Sequence, residues 1–208
     1  EALVPAPEVL AGALGKEEYK EMHKAISRDC ITLVKYKDRD VLPITPERYK
    51  RIMIVHVKGA ESGMGMLMKA MGMGGGKNPA EMLKERLCEK GFDAFIYESP
   101  LDAMKKQIAA GEKPNINLYF AGKNAIDDFV SGMDLVITLC DVSSGRPSFG
   151  LSKGGGEIPW YVFELPVVVI GCGQPTMLAD VPQARTYINT YDAKPATFDA
   201  LVDDLMAG

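Results

Sequence analysis

Three runs of apolar and β-branched residues constrain this chain more than anything else in it: Arg51–Val57 (RIMIVHV), Leu135–Cys140 (LVITLC) and Val167–Ile170 (VVVI). None alternates apolar with polar residues, so none suits a strand with one wet face. Strands of that kind are buried on both sides, as in a parallel sheet covered by helices. Phe92–Tyr97 and the shorter Thr186–Asn189 extend the series, and Ile31–Val34 followed by Val41–Ile44 opens it.

Between these runs the period changes to that of a helix. From Lys16, the residues Tyr19, Met22, Ile26 and Cys30 recur at three- and four-residue spacing and are expected to face inward, with Glu17, Lys20, Glu21 and Lys24 outward. His23 sits at the edge of that stripe and reads as a packed helix histidine. A second start is marked by Asn78 as cap, Pro79 at the first helical position and Glu81 at the capping-box position, with Gly91 as the stop. Ser99-Pro100 opens a third helix carrying Leu101, Met104 and Ile108 on one side and closed by Gly111. The last, Ala196–Met206, turns Phe198, Leu201, Val202 and Leu205 inward. Alternating strands and helices predict an α/β domain: a three-layer, open, mostly parallel sheet with helices on both faces.

Residues 1–15, with Pro5, Pro7, Gly12 and Gly15 and no period, read as a linker or docked arm, leaving 16–208 as the domain. A chain of 208 residues buries roughly 70% of its unfolded surface, enough to fold without disulfide or metal. Basic residues number 24 against 28 acidic ones and are scattered, which argues against nucleic acid and anionic membranes as partners. No run approaches the apolar length of a membrane span. Cys30, Cys88, Cys140 and Cys172 form no CxxC pair and read as small buried thiols, which suits a reducing, cytoplasmic compartment. Any targeting signal upstream of Glu1 lies beyond this reading.

Several motifs approach a known chemistry and miss it. Gly72–Asn78 is glycine-rich and precedes a helix, yet Met71 stands where a phosphate loop needs its first glycine, and Asn78 where it needs Ser or Thr. Ser148 lacks the first glycine of a nucleophile elbow, because Arg146 occupies it. His23 on a helix and His56 inside a strand run are not natural positions for a catalytic base. Gly154–Glu157 follows a strand, where ligand-contacting loops lie, but Glu157 alone cannot do paired acid–base work. Met64, Met66, Met68, Met71 and Met73 are adaptable side chains suited to an irregular apolar contact with the core or with another domain.

Four segments, in this order, resemble one family. Ser27–Lys35 (SRDCITLVK) with Val41-Leu42-Pro43-Ile44 is similar to the arm that opens the C-terminal domain of family 3 glycoside hydrolases. Lys50–Val57 and Asp134–Thr138 are similar to two of its strands. Glu164–Tyr191 resembles the closing part of the β-N-acetylglucosaminidase branch through Pro175, Leu178, Asp180, Pro182, Thr186, Tyr187, Ile188, Asn189 and Tyr191. The resemblance implies a flavodoxin-like domain that follows a (β/α)8 barrel, its partner in the parent enzyme. The barrel would carry the aspartate nucleophile of a retaining mechanism on β-N-acetylglucosaminides, and no cofactor is implied. The β-glucosidase branch places an acid/base glutamate after the Asp134–Thr138-like strand; Asp141–Arg146 (DVSSGR) has none. No catalytic residue is thus expected in this chain, which alone should be inactive. Ser143, Ser144, Arg146 and Glu157 are expected at the rim of the carbohydrate site, and the five methionines at the interface with the barrel. The alternative is a flavodoxin-like module holding a nucleotide or small ligand at Gly72–Asn78.

Overall fold

The computed structural model describes residues 16–37, 40–58, 78–98, 106–113, 131–142 and 165–208, together with Val9 and Gly12. Among the described residues six strands form one sheet: β1 (Thr32–Tyr36), β2 (Arg51–Lys58), β3 (Asp93–Ile96), β4 (Leu135–Val142), β5 (Val167–Gly173) and β6 (Thr186–Asn189). Their order is β1-β6-β5-β4-β2-β3. All neighbours are parallel except β1, which closes one edge antiparallel to β6. The α/β class and the mostly parallel sheet match the expectation from the three apolar runs.

Alternate residues of each strand enter two separate cores. Ile52, Ile54, Leu135, Ile137, Leu139, Val168, Ile170 and Ile188 face one side, where helices α2 (Pro79–Glu89) and α3 (Pro195–Ala207) cover them with Leu83, Leu87, Phe198 and Leu201. Met53, Val136, Cys140, Val167, Val169 and Tyr187 face the other, against Met177 of the 3-10 turn Pro175–Ala179. Both faces of β4 and β5 are dry, which is why their sequences do not alternate.

The local signals work as read at α2. Asn78 Oδ1 accepts the Ala80 backbone N–H at 3.1 Å, Pro79 fills the first helical position, and Gly91 (φ 93°) ends the helix in a conformation that disfavours side chains. Gly111 likewise has φ 75° after the helical residues 106–109.

Four expectations change. Helix α1 (Glu17–Cys30) forms, but its stripe points outward: Tyr19, Met22 and Ile26 are about half exposed, and among its residues only Ser27 is buried. It lies beside α3 through its polar side, where Arg28 approaches Asp203 and Asp204 at 3.9 Å. His23, on the same helix, is exposed rather than packed. Cys30 and Cys88 are exposed as well, and only Cys140 and Cys172 are buried thiols. Val41–Ile44 is no strand but an irregular segment with a cis Leu42–Pro43 peptide; Val41 and Ile44 are buried, Pro43 is exposed, and the Ile44 N–H donates to the Leu205 carbonyl at 2.9 Å. Of residues 1–15, Val9 and Gly12 are described, both helical and exposed.

Candidate functional site

The order of the sheet locates the place to look. From β2 the chain moves outward to β3; from β4 it moves the opposite way, through β5 to β6. The direction reverses between β2 and β4. Connections on either side of such a point diverge and leave a crevice outside the carboxyl ends of the two strands, where ligands of open α/β sheets bind.

His56 and Asp141 occupy that point. His56 is two residues before the end of β2 and Asp141 one residue before the end of β4. Register pairs Lys58 with Asp141 and His56 with Leu139, so both side chains rise on the α2/α3 face of adjacent strands. Nε2 of His56 lies 3.6 Å from Oδ2 of Asp141; the imidazole is 6% exposed and the carboxylate 32%. That separation is within ion-pair range but too long for a hydrogen bond. Nε2 is in fact buried with no hydrogen-bond partner among the described residues. An unpaired polar atom in such a place costs on the order of 1–3 kcal/mol, which singles out His56 among the residues of the switch point.

The row continues across the sheet. Cys172 of β5 is paired in register with Asp141 and lies on the same face. Burial pushes its thiol up to about 12, the hydrogen bond with Thr190 works against that, and the charges of Asp141 and Asp192 add to it. Thr190 Oγ1 lies 3.3 Å from the Cys172 sulfur and 2.8 Å from the Asp192 carbonyl. Asp192 in turn accepts from the Thr197 hydroxyl, in the first turn of α3, and from the Lys194 N–H at 3.3 Å. One continuous polar edge thus runs from the switch point to the amino end of α3. Among the described residues no group of three or more His, Cys, Asp or Glu side chains could hold a metal ion.

The residues singled out from sequence, Ser143, Ser144, Arg146 and Glu157 for the rim and Met64, Met66, Met68, Met71 and Met73 for the interface, lie outside the described residues, as does the glycine-rich segment 72–77. Sequence reasoning passed over Asp141 and set His56 aside as a strand residue. The signal was available: both close an apolar run, and parallel strands bring all such ends to one edge.

An open α/β sheet with a polar switch-point edge is the class of domain defined so far. No family model matches the chain. It is, however, 27% identical over 196 residues to a beta-N-acetylglucosaminidase/beta-glucosidase of Cellulomonas fimi, covering 92% of this chain and 31% of that protein. Among solved structures it resembles a beta-glucoside phosphorylase, BglX, with 25% identity and a TM-score of 0.71 over 99% of this chain and 32% of the other. A family 3 beta-N-acetylglucosaminidase from a Paenibacillus species has the same fold, at 14% identity and a TM-score of 0.59, with 93% and 31% covered. The chain is thus similar to one part of each of these proteins, in line with the resemblance that the four sequence segments carry, and spans about a third of their length.

Proposed function

We propose that this chain is the accessory C-terminal domain of a glycosidase that removes terminal β-N-acetylglucosaminides, its partner being a (β/α)8 barrel with the nucleophile. The observation that carries the reading is the match of nearly the whole chain to under a third of the Cellulomonas protein. A domain of that kind supplies a wall to the site, and the polar carboxyl edge at the switch point is the surface suited to it. In this reading residues 1–15 are the connection to the barrel, and Ser143, Ser144, Arg146 and Glu157, which come after β4 in the sequence, contribute to the rim of the site.

Cleaving a glycosidic bond by retention needs two groups about 5 Å apart on either side of it, one to attack and one to move a proton. His56 and Asp141 lie 3.6 Å apart on adjacent strands, too close together to flank a glycosidic bond, so they cannot fill both roles. The expected result is that the isolated chain does not hydrolyse aryl β-N-acetylglucosaminide or aryl β-glucoside, whereas the chain joined to a family 3 barrel does. The assay belongs in buffers with and without inorganic phosphate, since one neighbour is a phosphorylase. Turnover by the isolated chain that survives repurification and disappears in Glu157→Gln would place the chemistry here. A joined protein inactive on both glycosides would remove the glycosidase reading.

A further inference from the structure

We propose that Asp141, positioned by His56, binds hydroxyl groups of a neutral sugar, so that the switch-point edge of this chain is a sugar subsite in its own right. The ligand class rests on the glycosidase reading above; the place rests on geometry alone. Asp141 has one oxygen directed at a buried imidazole and about a third of its side chain in solvent. A carboxylate held in this way accepts hydrogen bonds from hydroxyl donors and offers none. His56 is 6% exposed, and its Nε2 has no partner among the described residues. Closing the 3.6 Å gap lets Nε2–H donate to Oδ2. That fixes the carboxylate plane and leaves Oδ1 to the ligand. His56 is thus a positioning residue, and Asp141 the one that touches sugar.

Other ionisable residues along this edge are Lys58, in register with Asp141, Cys172, whose thiol burial holds in the neutral form, and Asp192. A neutral polyol satisfies Asp141 through its hydroxyl donors alone.

The test uses the 208-residue chain itself, followed by NMR during titration with methyl β-N-acetylglucosaminide and methyl β-glucoside. Glycerol, glucosamine and inorganic phosphate are the controls. His23 and His56 are the only histidines, and His23 is exposed on α1, far along the chain from the edge, so it serves as an internal reference. The expected result is saturable shifts at His56 and Asp141, none at His23, and a dissociation constant on the order of millimolar. Asp141→Asn should weaken binding about tenfold, the loss of one charge-assisted hydrogen bond, with Asp141→Glu in between. His56→Gln, whose amide can replace Nε2–H, should retain binding that His56→Leu loses; a preserved amide spectrum in each variant separates this from unfolding. Shifts that never saturate, that glycerol reproduces, or that survive Asp141→Asn overturn the proposal. So does binding confined to glucosamine or to phosphate. Sugar binding by this chain beside an inactive barrel-joined protein would keep the subsite and lose the glycosidase. Activity without binding would do the reverse.

Discussion

Gly171 is the position in the sheet where a side chain fits least. A Cβ there would stand 2.2 Å from the Tyr187 hydroxyl and 2.8 Å from Asn189 Oδ1. The tyrosine ring lies across the glycine from the next strand, fully buried. This explains why the sequence reading ended β5 at Ile170: a glycine in an apolar run looks like a strand end, whereas here it marks a close approach. Gly171→Ala should cost about 1–3 kcal/mol by forcing the ring aside. The Tyr187 hydroxyl has no hydrogen-bond partner among the described residues, so Tyr187→Phe alone should leave stability unchanged or raise it by up to about 1 kcal/mol. Combined, the two should recover much of the loss, since phenylalanine vacates the space the new methyl needs. Urea midpoints at constant slope measure all three, and strictly additive losses would refute the contact. Asp192 gives a second test at this scale. Burial opposes its ionised form, but hydrogen bonds from Thr197 and Lys194 outweigh burial and lower its pKa. Folding therefore favours the charged carboxylate. Its contribution is complete above the unfolded value of about 3.9 and fades as pH falls through the lower folded value. Asp192→Asn should accordingly flatten the acid limb of the stability curve below about pH 4 and lower stability at neutral pH. A limb as steep as that of the unaltered chain would contradict this.

Helices α1 and α3 separate what periodicity reveals from what it leaves open. Both present a regular apolar stripe. Phe198, Leu201, Val202 and Leu205 were expected inward and are each 1% exposed or less; Tyr19, Met22 and Ile26 were expected inward and are not. Spacing says which residues share a face, but only the rest of the fold decides which face finds a partner. In α1 the ion pairs of Arg28 with Asp203 and Asp204 are on another side of the helix from the stripe. Phe198→Ala should therefore cost about 3–5 kcal/mol, while Met22→Lys should change stability by no more than about 0.5 kcal/mol. Equal losses from the two substitutions, read from the same urea curves, would mean that α1 is buried in solution. The candidate site follows the same logic. That β2 and β4 exist, and where they end, was legible from RIMIVHV and LVITLC. That they are neighbours with their directions of winding reversed between them was not, because strand order is a long-range property. Only that order brings His56 to Asp141.

For the molecule as a whole, the four cysteines report on how the sheet holds together. Cys30 and Cys88 are exposed; Cys140 and Cys172 are buried. Burial comes first in pushing both inner thiols up to about 12. Since the thiolate is the reactive form, a disulfide reagent near pH 8 should titrate two thiols at once and the other two only as the protein opens. The inner pair sits on adjacent strands, yet on opposite faces: Cys140 in the core with Tyr187 and Met177, Cys172 in the core under α2 and α3. The two layers could in principle loosen independently, since local openings in proteins span free energies from near zero up to that of global unfolding. Here that is unfavourable, because β4 and β5 share seven registered residue pairs and are buried on both sides. Lifting either layer exposes apolar surface without releasing the strands beneath it. The two slow thiols should therefore react at one common rate, with a urea dependence equal to that of global unfolding. Comparison of Cys140→Ser with Cys172→Ser assigns each phase. If Cys172 reacted well before Cys140, with a weaker urea dependence, the helical layer would be opening on its own and the two cores would be separate units.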